Sequence, residues 1–333
     1  NSLLNLSKKC NGGIFDDLKI YMIISIKWHF DYLAKTRKNP DELNLSLKYW
    51  FNILNIFKCF EKDNWISSSK KKLKSKDIWA NTREAFNFMW PRNTERKYKS
   101  SKAMVDLRVN QFMKMIKKNK KDLKNMIILD AGCGPGRYME SLRRYNPKEI
   151  MGIDSGRHII KDCKKRFKKF KNMKFFNSNF DKLSFKDNSI DLLISAGVLH
   201  HTKKNLSSLI KDHSRVIKKK GYFFVFIVGS GGQELELWKF CRRVMNTMDI
   251  KLVFMKLKNQ ISPLRLQGFL DHSYGEYKST SRKSFEKLLR NSFTKIMKVD
   301  GIPGADVTKK TFFNDKYFKK RFGSGNLRYL CVK

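Results

Sequence analysis

Three glycines behind an apolar strand carry the first chemical signal in this chain. Met126-Ile-Ile-Leu-Asp130 reads as a buried strand, and Gly132, Gly134 and Gly136 follow it, with a helix beginning near Pro135. A strand that runs through glycines into a helix N-terminus presents backbone N–H groups and a positive helix end at the carboxyl edge of a sheet. Glycine there lets a ligand lie directly on the backbone. A second apolar strand, Ile150-Met-Gly-Ile-Asp154, also ends in a carboxylate, 18 positions after the last glycine (154 − 136). A carboxylate so placed can accept both hydroxyls of a ribose. The dinucleotide fingerprint is not met, because Arg137 stands where it needs a third glycine. No Gly-Lys-Ser/Thr sequence supplies a triphosphate cradle either.

A third strand end brings acid/base groups. His200 and His201 follow Ser195-Ala-Gly-Val-Leu199. Histidine titrates near neutrality and can accept a proton from a reacting group.

The elements that must hold these residues alternate. Helices are expected at 102–118, 135–145, 157–170, 204–218 and 281–291, and strands at 126–130, 148–154, 173–178, 190–195, 221–228, 294–299 and 326–332. Such alternation means a parallel sheet covered on both faces, with right-handed crossovers that bring the strand ends named above to one edge. Residues 1–77 are expected to form a helical extension and a Ser/Lys-rich linker, and residues 78–333 one catalytic domain with a helical insertion near 233–278. The segment Ile78–Trp90 is dense in aromatics, with Trp79, Phe86 and Trp90 ready to dock a helix on the core.

Composition sets the outer bounds. The 333 residues are 41% hydrophobic, enough for a substantial core. The six cysteines are scattered without a Cys-x-x-Cys pair, which argues against structural zinc or a disulfide framework and fits a reducing cytoplasm. No apolar run approaches the roughly 20 residues of a membrane span. The chain starts at Asn1, so a truncated or processed start is expected. The formal net charge is +42. Its basic runs, such as Lys70–Lys72, Lys164–Lys171 and Lys218–Lys220, are spread along the chain, which favours a solvated basic surface over one dedicated polyanion groove.

Five stretches in order give a resemblance: Leu129-Asp-Ala-Gly-Cys-Gly-Pro-Gly136, Gly152-Ile-Asp154, Asn177-Ser-Asn-Phe-Asp-Lys-Leu-Ser-Phe185, Ser189–His201 and Arg215-Val-Ile-Lys-Lys-Lys-Gly221. The chain resembles the class I S-adenosylmethionine-dependent methyltransferases, in particular the group that includes the ubiquinone/menaquinone C-methyltransferases. The resemblance covers about 102–229 well and 279–333 loosely. It implies a Rossmann-like α/β fold, with a seven-stranded, mostly parallel sheet, helices on both faces and an antiparallel last strand.

It also implies S-adenosyl-L-methionine as cofactor and no metal. Gly132, Cys133, Gly134 and Gly136 would line its methionine portion, with Asp130 near the ammonium group. Asp154 and Ser155 would lie at the ribose, and Asn179 and Phe180 would flank the adenine. The group usually has Asp where this chain has Asn179, so some loss of adenine contact is expected. Ser195, Ala196 and Gly197 would close the site through their backbone, and His200 and His201 would stand beside the methyl group as catalytic candidates. Arg242-Arg243 and Asp271-His-Ser-Tyr274 fall where the group places acceptor-binding elements. The group also often lays a segment ahead of the first strand over the cofactor cleft, which is the alternative to core docking for Ile78–Trp90.

Methyl transfer from a sulfonium needs alignment and exclusion of water more than covalent help, so cofactor residues are easier to read than acceptor residues. There is no Asn/Asp-Pro-Pro-aromatic sequence after the fourth strand, which argues against an exocyclic base amine as acceptor. The leading expectation is a small-molecule or lipid-like acceptor. A tRNA or other RNA acceptor is the alternative, raised by the charge and by a His-His pair that also occurs in tRNA wobble-uridine methyltransferases. A non-catalytic S-adenosylmethionine-binding protein is the second alternative.

Overall fold

The computed structural model of the chain describes residues 78–90, 95–116, 123–259, 263–300 and 315–333. The helical extension and linker expected over 1–77 lie outside the described residues.

Seven strands form one sheet: β1 (Ile127–Ala131), β2 (Glu149–Asp154), β3 (Met173–Asn177), β4 (Ile190–Ala196), β5 (Ile217–Val228), β6 (Lys295–Lys298) and β7 (Asn326–Val332). Their spatial order is β3-β2-β1-β4-β5-β7-β6. The pairs from β3 to β5 are parallel, and β7 runs antiparallel to both β5 and β6. The order reverses between β1 and β4, so the carboxyl ends of these central strands open a crevice where a ligand can sit.

Alternation along the central strands divides the core. Ile128, Ile150, Leu192, Ile194 and Phe224 face one way, with Val105, Val109, Phe112 and Ile116 of the helix at Glu95–Ile116 packed on them. Those positions recur at helical spacing, which is why that segment folds as a helix against the sheet. Leu129, Ala131, Leu193, Phe223 and Val225 face the other way, under Leu209, Ile210, Phe285 and Leu289. Those come from helices at Leu206–Val216 and Arg282–Arg290, whose first turns are capped by the Asn205 and Ser281 side chains.

Numbered in chain order, the helices among the described residues are α1 (Ile78–Met89), α2 (Glu95–Ile116), α3 (Arg137–Arg143), α4 (Arg157–Arg166), α5 (Leu206–Val216), α6 (Gln233–Met245), α7 (Ile250–Leu257), α8 (Pro263–Ser273), α9 (Arg282–Arg290) and α10 (Asp315–Phe322). Residues 77–231, 276–319 and 323–333 make one compact unit and contain the sheet. Residues 232–275, carrying α6, α7 and α8, belong to a second unit with 320–322.

Some element ends differ from the sequence expectation: the helix expected over 157–170 stops at Arg166, and the one expected from 102 begins at Glu95. The helix expected to run to 218 stops at Val216, and β5 begins at once with Ile217. Ile217 is buried and pairs with Ile190, so the chain must already be extended there. The extra residues before Tyr222 pairs with Leu192 are absorbed by an irregularity in which Lys220 adopts φ +61°.

Candidate functional site

The three glycines do three different jobs. All have positive φ: +84° at Gly132, +50° at Gly134 and +82° at Gly136. A methyl group on Gly132 would meet the Val198 methyls at 2.5 Å, so this glycine lets the segment after β4 press on the loop. A methyl group on Gly136, the residue before α3, would meet the Phe167 ring at 2.7 Å. Gly134 differs, because a methyl group there would meet nothing within 4 Å. Its backbone faces open space, as a surface on which a ligand lies must.

The loop is tied to the end of β2. The N–H groups of Gly132 and Cys133 both donate to the Ile153 carbonyl, at 2.8 and 2.9 Å. Asp154 Oδ2 accepts the Gly134 N–H at 3.0 Å, and its Oδ1 accepts the Gly156 N–H at 2.9 Å. Burial raises the Asp154 pKa, and these two N–H groups oppose the rise. Ser155 is exposed at the same turn. Cys133 is buried, with its Sγ 3.6 Å from the Gly134 carbonyl, and burial pushes its thiol well up. It is therefore a packing residue under the loop rather than a thiolate.

Asp130 is only 2% exposed, and its Oδ2 has no hydrogen-bond partner among the described residues. Burial pushes its pKa up to about 8; repulsion from Asp154 adds to this and the Arg137 charge opposes it. A buried carboxylate oxygen without a donor is costly. A cationic ligand on the open face of the loop would supply one. S-adenosylmethionine carries an ammonium and a sulfonium, so the residues present fit it.

The strand ends beyond β2 complete the edge. Asn179 is exposed, and its Oδ1, the atom expected to take the adenine amino group, accepts the Asp181 N–H at 3.1 Å. Phe180 is half-buried against the core. Asp181 in turn accepts from Thr202 Oγ1 at 2.5 Å, which ties this loop to the segment after β4. At the end of β4, Ser195 is fully buried and its Oγ has no hydrogen-bond partner among the described residues, Ala196 is half-buried, and Gly197 has φ +77° with its N–H on the Phe226 carbonyl.

The paired histidines separate into two environments. His200 is 5% exposed, and its backbone carbonyl accepts the Lys278 N–H. His201 is half-buried, with its ring 4.2 Å from that of His200, 4.7 Å from Phe86 and 6.0 Å from Tyr277, centroid to centroid. His201 Nδ1 lies 3.2 Å from the Glu276 carbonyl. A carbonyl oxygen can only accept, so a hydrogen bond there requires the proton to be on Nδ1.

Helix α1 lies across this edge. Phe86 contacts His201, Asn87 Oδ1 sits beside Gly156, Thr82 Oγ1 accepts the Glu276 N–H at 2.8 Å, and Arg137 stands 5.1 Å over the Trp90 ring just beyond α1. Trp90 and Phe86 therefore do more than dock the helix on the core.

Sequence reasoning missed Asp181, Thr202, Val198 and Tyr277. Only Asp181 and Thr202 carried a local signal, since each is a short polar residue in a strand-end loop. In the second unit, Arg242 is buried and its Nη1 donates to the His272 carbonyl at 3.0 Å, while Arg243 is exposed. Arg242 thus braces the end of α8 instead of presenting its charge to a ligand. Tyr274 is buried as well.

Residues 129–225 match the family model described as a methyltransferase domain. A tRNA U34 carboxymethyltransferase of Helicobacter pylori (strain P12) is 30% identical over 129 residues, 37% of this chain and 49% of that protein. A ubiquinone biosynthesis O-methyltransferase of Pelagibacter ubique is 24% identical over 199 residues, 53% of this chain and 80% of that protein. The chain thus spans about half of the first relative's length. A Haloferax volcanii putative methyltransferase, solved in complex with the Trm112 methyltransferase activator, superposes with a TM-score of 0.47 at 14% identity, covering 74% of this chain and 96% of that one. No helix among the described residues is long and apolar enough to cross a membrane. Residues 129–225, which hold the strand-end cradle, thus match a methyltransferase domain.

Proposed function

We propose that the protein transfers the methyl group of S-adenosylmethionine to a small-molecule or lipid-like acceptor with an apolar, flat portion. In this reading Asp130 takes the ammonium group of the donor, Gly134 and its neighbours underlie the methionine portion, and Asp154 receives the ribose hydroxyls with the acceptor capacity its two N–H bonds leave. Asn179 and Phe180 flank the adenine, and the backbone of Ser195, Ala196 and Gly197 closes the site. The donor brings an already activated methyl group. The chain's own residues align the acceptor, exclude water and, where the acceptor is acidic, remove a proton. His201 is the residue best suited to that proton.

The observation that carries the acceptor reading is the cluster of rings after β4. Phe86, His200, His201 and Tyr277 pack ring against ring, with centroids 4.2–6.0 Å apart. The exposed side of such a cluster suits contact with a planar, apolar acceptor. The test is a screen of metabolite and lipid extracts with a methyl-labelled donor. Label recovered in one low-molecular-weight product supports the reading; label recovered only in RNA overturns it.

An RNA acceptor is the second reading. It is supported by the net charge of +42 and by the similarity of residues in the matched domain to proteins named as tRNA U34 carboxymethyltransferases.

A further inference from the structure

The edge of the sheet opposite the glycine loop carries a groove of about 600 Å³. It is built from the segments that lead into the first three strands in space. Lys124 precedes β1, Arg143 and Lys148 flank the turn into β2, and Lys169, Phe170 and Lys171 lie on the turn into β3. Five of its lining residues are cationic and none is acidic. The nearest carboxylate in sequence, Glu149, is engaged by Lys174 at 2.5 Å. The four lysines are exposed.

Phe170 organises the floor. The Arg143 guanidinium lies 4.0 Å over its ring and the Lys169 ammonium 5.2 Å from the ring centre. Arg143 Nε is buried with no hydrogen-bond partner among the described residues. Helix dipoles explain only part of this arrangement. Arg143 sits in the last turn of α3, where a cation is favoured, but Lys124, Lys148, Lys169 and Lys171 belong to no helix. Bringing so many like charges together, with no acid among the described residues that line the groove, costs repulsion, which a polyanion would remove.

We propose that this groove docks the phosphate backbone of RNA. The strand starts are neighbours about 5 Å apart, so the lysines form a row that meets successive phosphates rather than a cradle around one. The groove is open along its length rather than enclosed, so an extended strand can lie on it. A row of cations beside an aromatic side chain is the arrangement that tracks a single strand. Two features of the chain thus converge: its excess of lysine, and a place where that excess is concentrated instead of dispersed.

This inference concerns binding and does not rest on the acceptor reading. The test titrates a fluorescent single-stranded RNA with the full chain by anisotropy, at several salt concentrations and without a methyl donor. The groove variant is Lys148→Gln/Lys169→Gln/Lys171→Gln. The control is Lys283→Gln/Lys287→Gln/Arg290→Gln on α9, which removes the same charge from exposed positions. The groove variant is expected to bind at least about tenfold more weakly at physiological salt and to lower the salt slope by about 2, at roughly 0.7 per lost phosphate contact. The control should change affinity by less than about threefold. Replacing the same groove lysines by Arg should retain binding, which separates lost charge from lost folding. Equal losses in the two Gln variants would show diffuse charge and overturn the proposal. So would absence of RNA binding by the wild type, or binding to phosphatidylserine vesicles that RNA fails to compete. S-adenosylhomocysteine titration of each variant reports the donor site separately.

Discussion

Asp154 holds Gly134. Its Oδ2 accepts the Gly134 N–H at 3.0 Å, so the carboxylate proposed to receive the ribose also holds the loop glycine at which an added methyl group would meet nothing within 4 Å. Removing it should therefore damage the donor site twice. Asp154→Ala should weaken S-adenosylhomocysteine by ~1.5–3 kcal/mol, the scale of charge-assisted hydrogen bonds. Isothermal titration measures this, and an unchanged affinity would remove Asp154 from the donor site.

The glycines should separate binding from folding. Gly134→Ala adds a methyl group into the open cradle and carries only the backbone strain of φ +50°, about 1 kcal/mol. It should lower donor affinity far more than the melting temperature. Gly132→Ala drives a methyl group into Val198 at 2.5 Å and should lower the melting temperature first. Thermal melts and titrations of both variants give the comparison, and the reverse pattern would place the cradle elsewhere.

Asp130 should make donor binding depend on pH. Its folded pKa, about 8, lies above the ordinary 3.8. The folded, ligand-free chain therefore holds a proton that the unfolded chain has lost, and this contribution to stability falls as pH rises from about 4 to about 8. A cationic donor favours the ionised form, so binding below pH 8 should release a proton. Affinity should then rise with pH by up to about tenfold per unit until pH 8. Titration in buffers of different ionisation enthalpy counts the proton. Asp130→Asn should abolish both the proton release and this part of the pH dependence; if it changes neither, the linked group is another.

The histidines should differ. His201→Ala should leave S-adenosylhomocysteine affinity nearly unchanged and lower turnover by ~10²-fold or more if the acceptor must lose a proton. His200→Ala removes a buried ring and should lower the melting temperature. The assay uses the acceptor found with the labelled donor. Loss of donor affinity in both variants would assign the pair a structural role instead.

Much of the proposed donor site was legible because it is local. Glycines at 132, 134 and 136, and acids at the ends of two strands, are adjacent in sequence to the strands that position them, so spacing alone implied one edge. The end of the helix before β5 was misplaced for the opposite reason. Whether Ile217 is helical or extended is decided by its pairing with Ile190, a partner 27 residues away (217 − 190).

The sequence by itself determined the order of strands and helices and the glycine and carboxylate positions, because apolar periodicity and turn chemistry act over a few residues. Tertiary structure decided what those residues face. Val198 against Gly132, Phe86 and Tyr277 around His201, and the lysines gathered at three strand starts are brought together by sheet register and crossover packing. Those contacts join segments tens to hundreds of residues apart, and no local pattern encodes them.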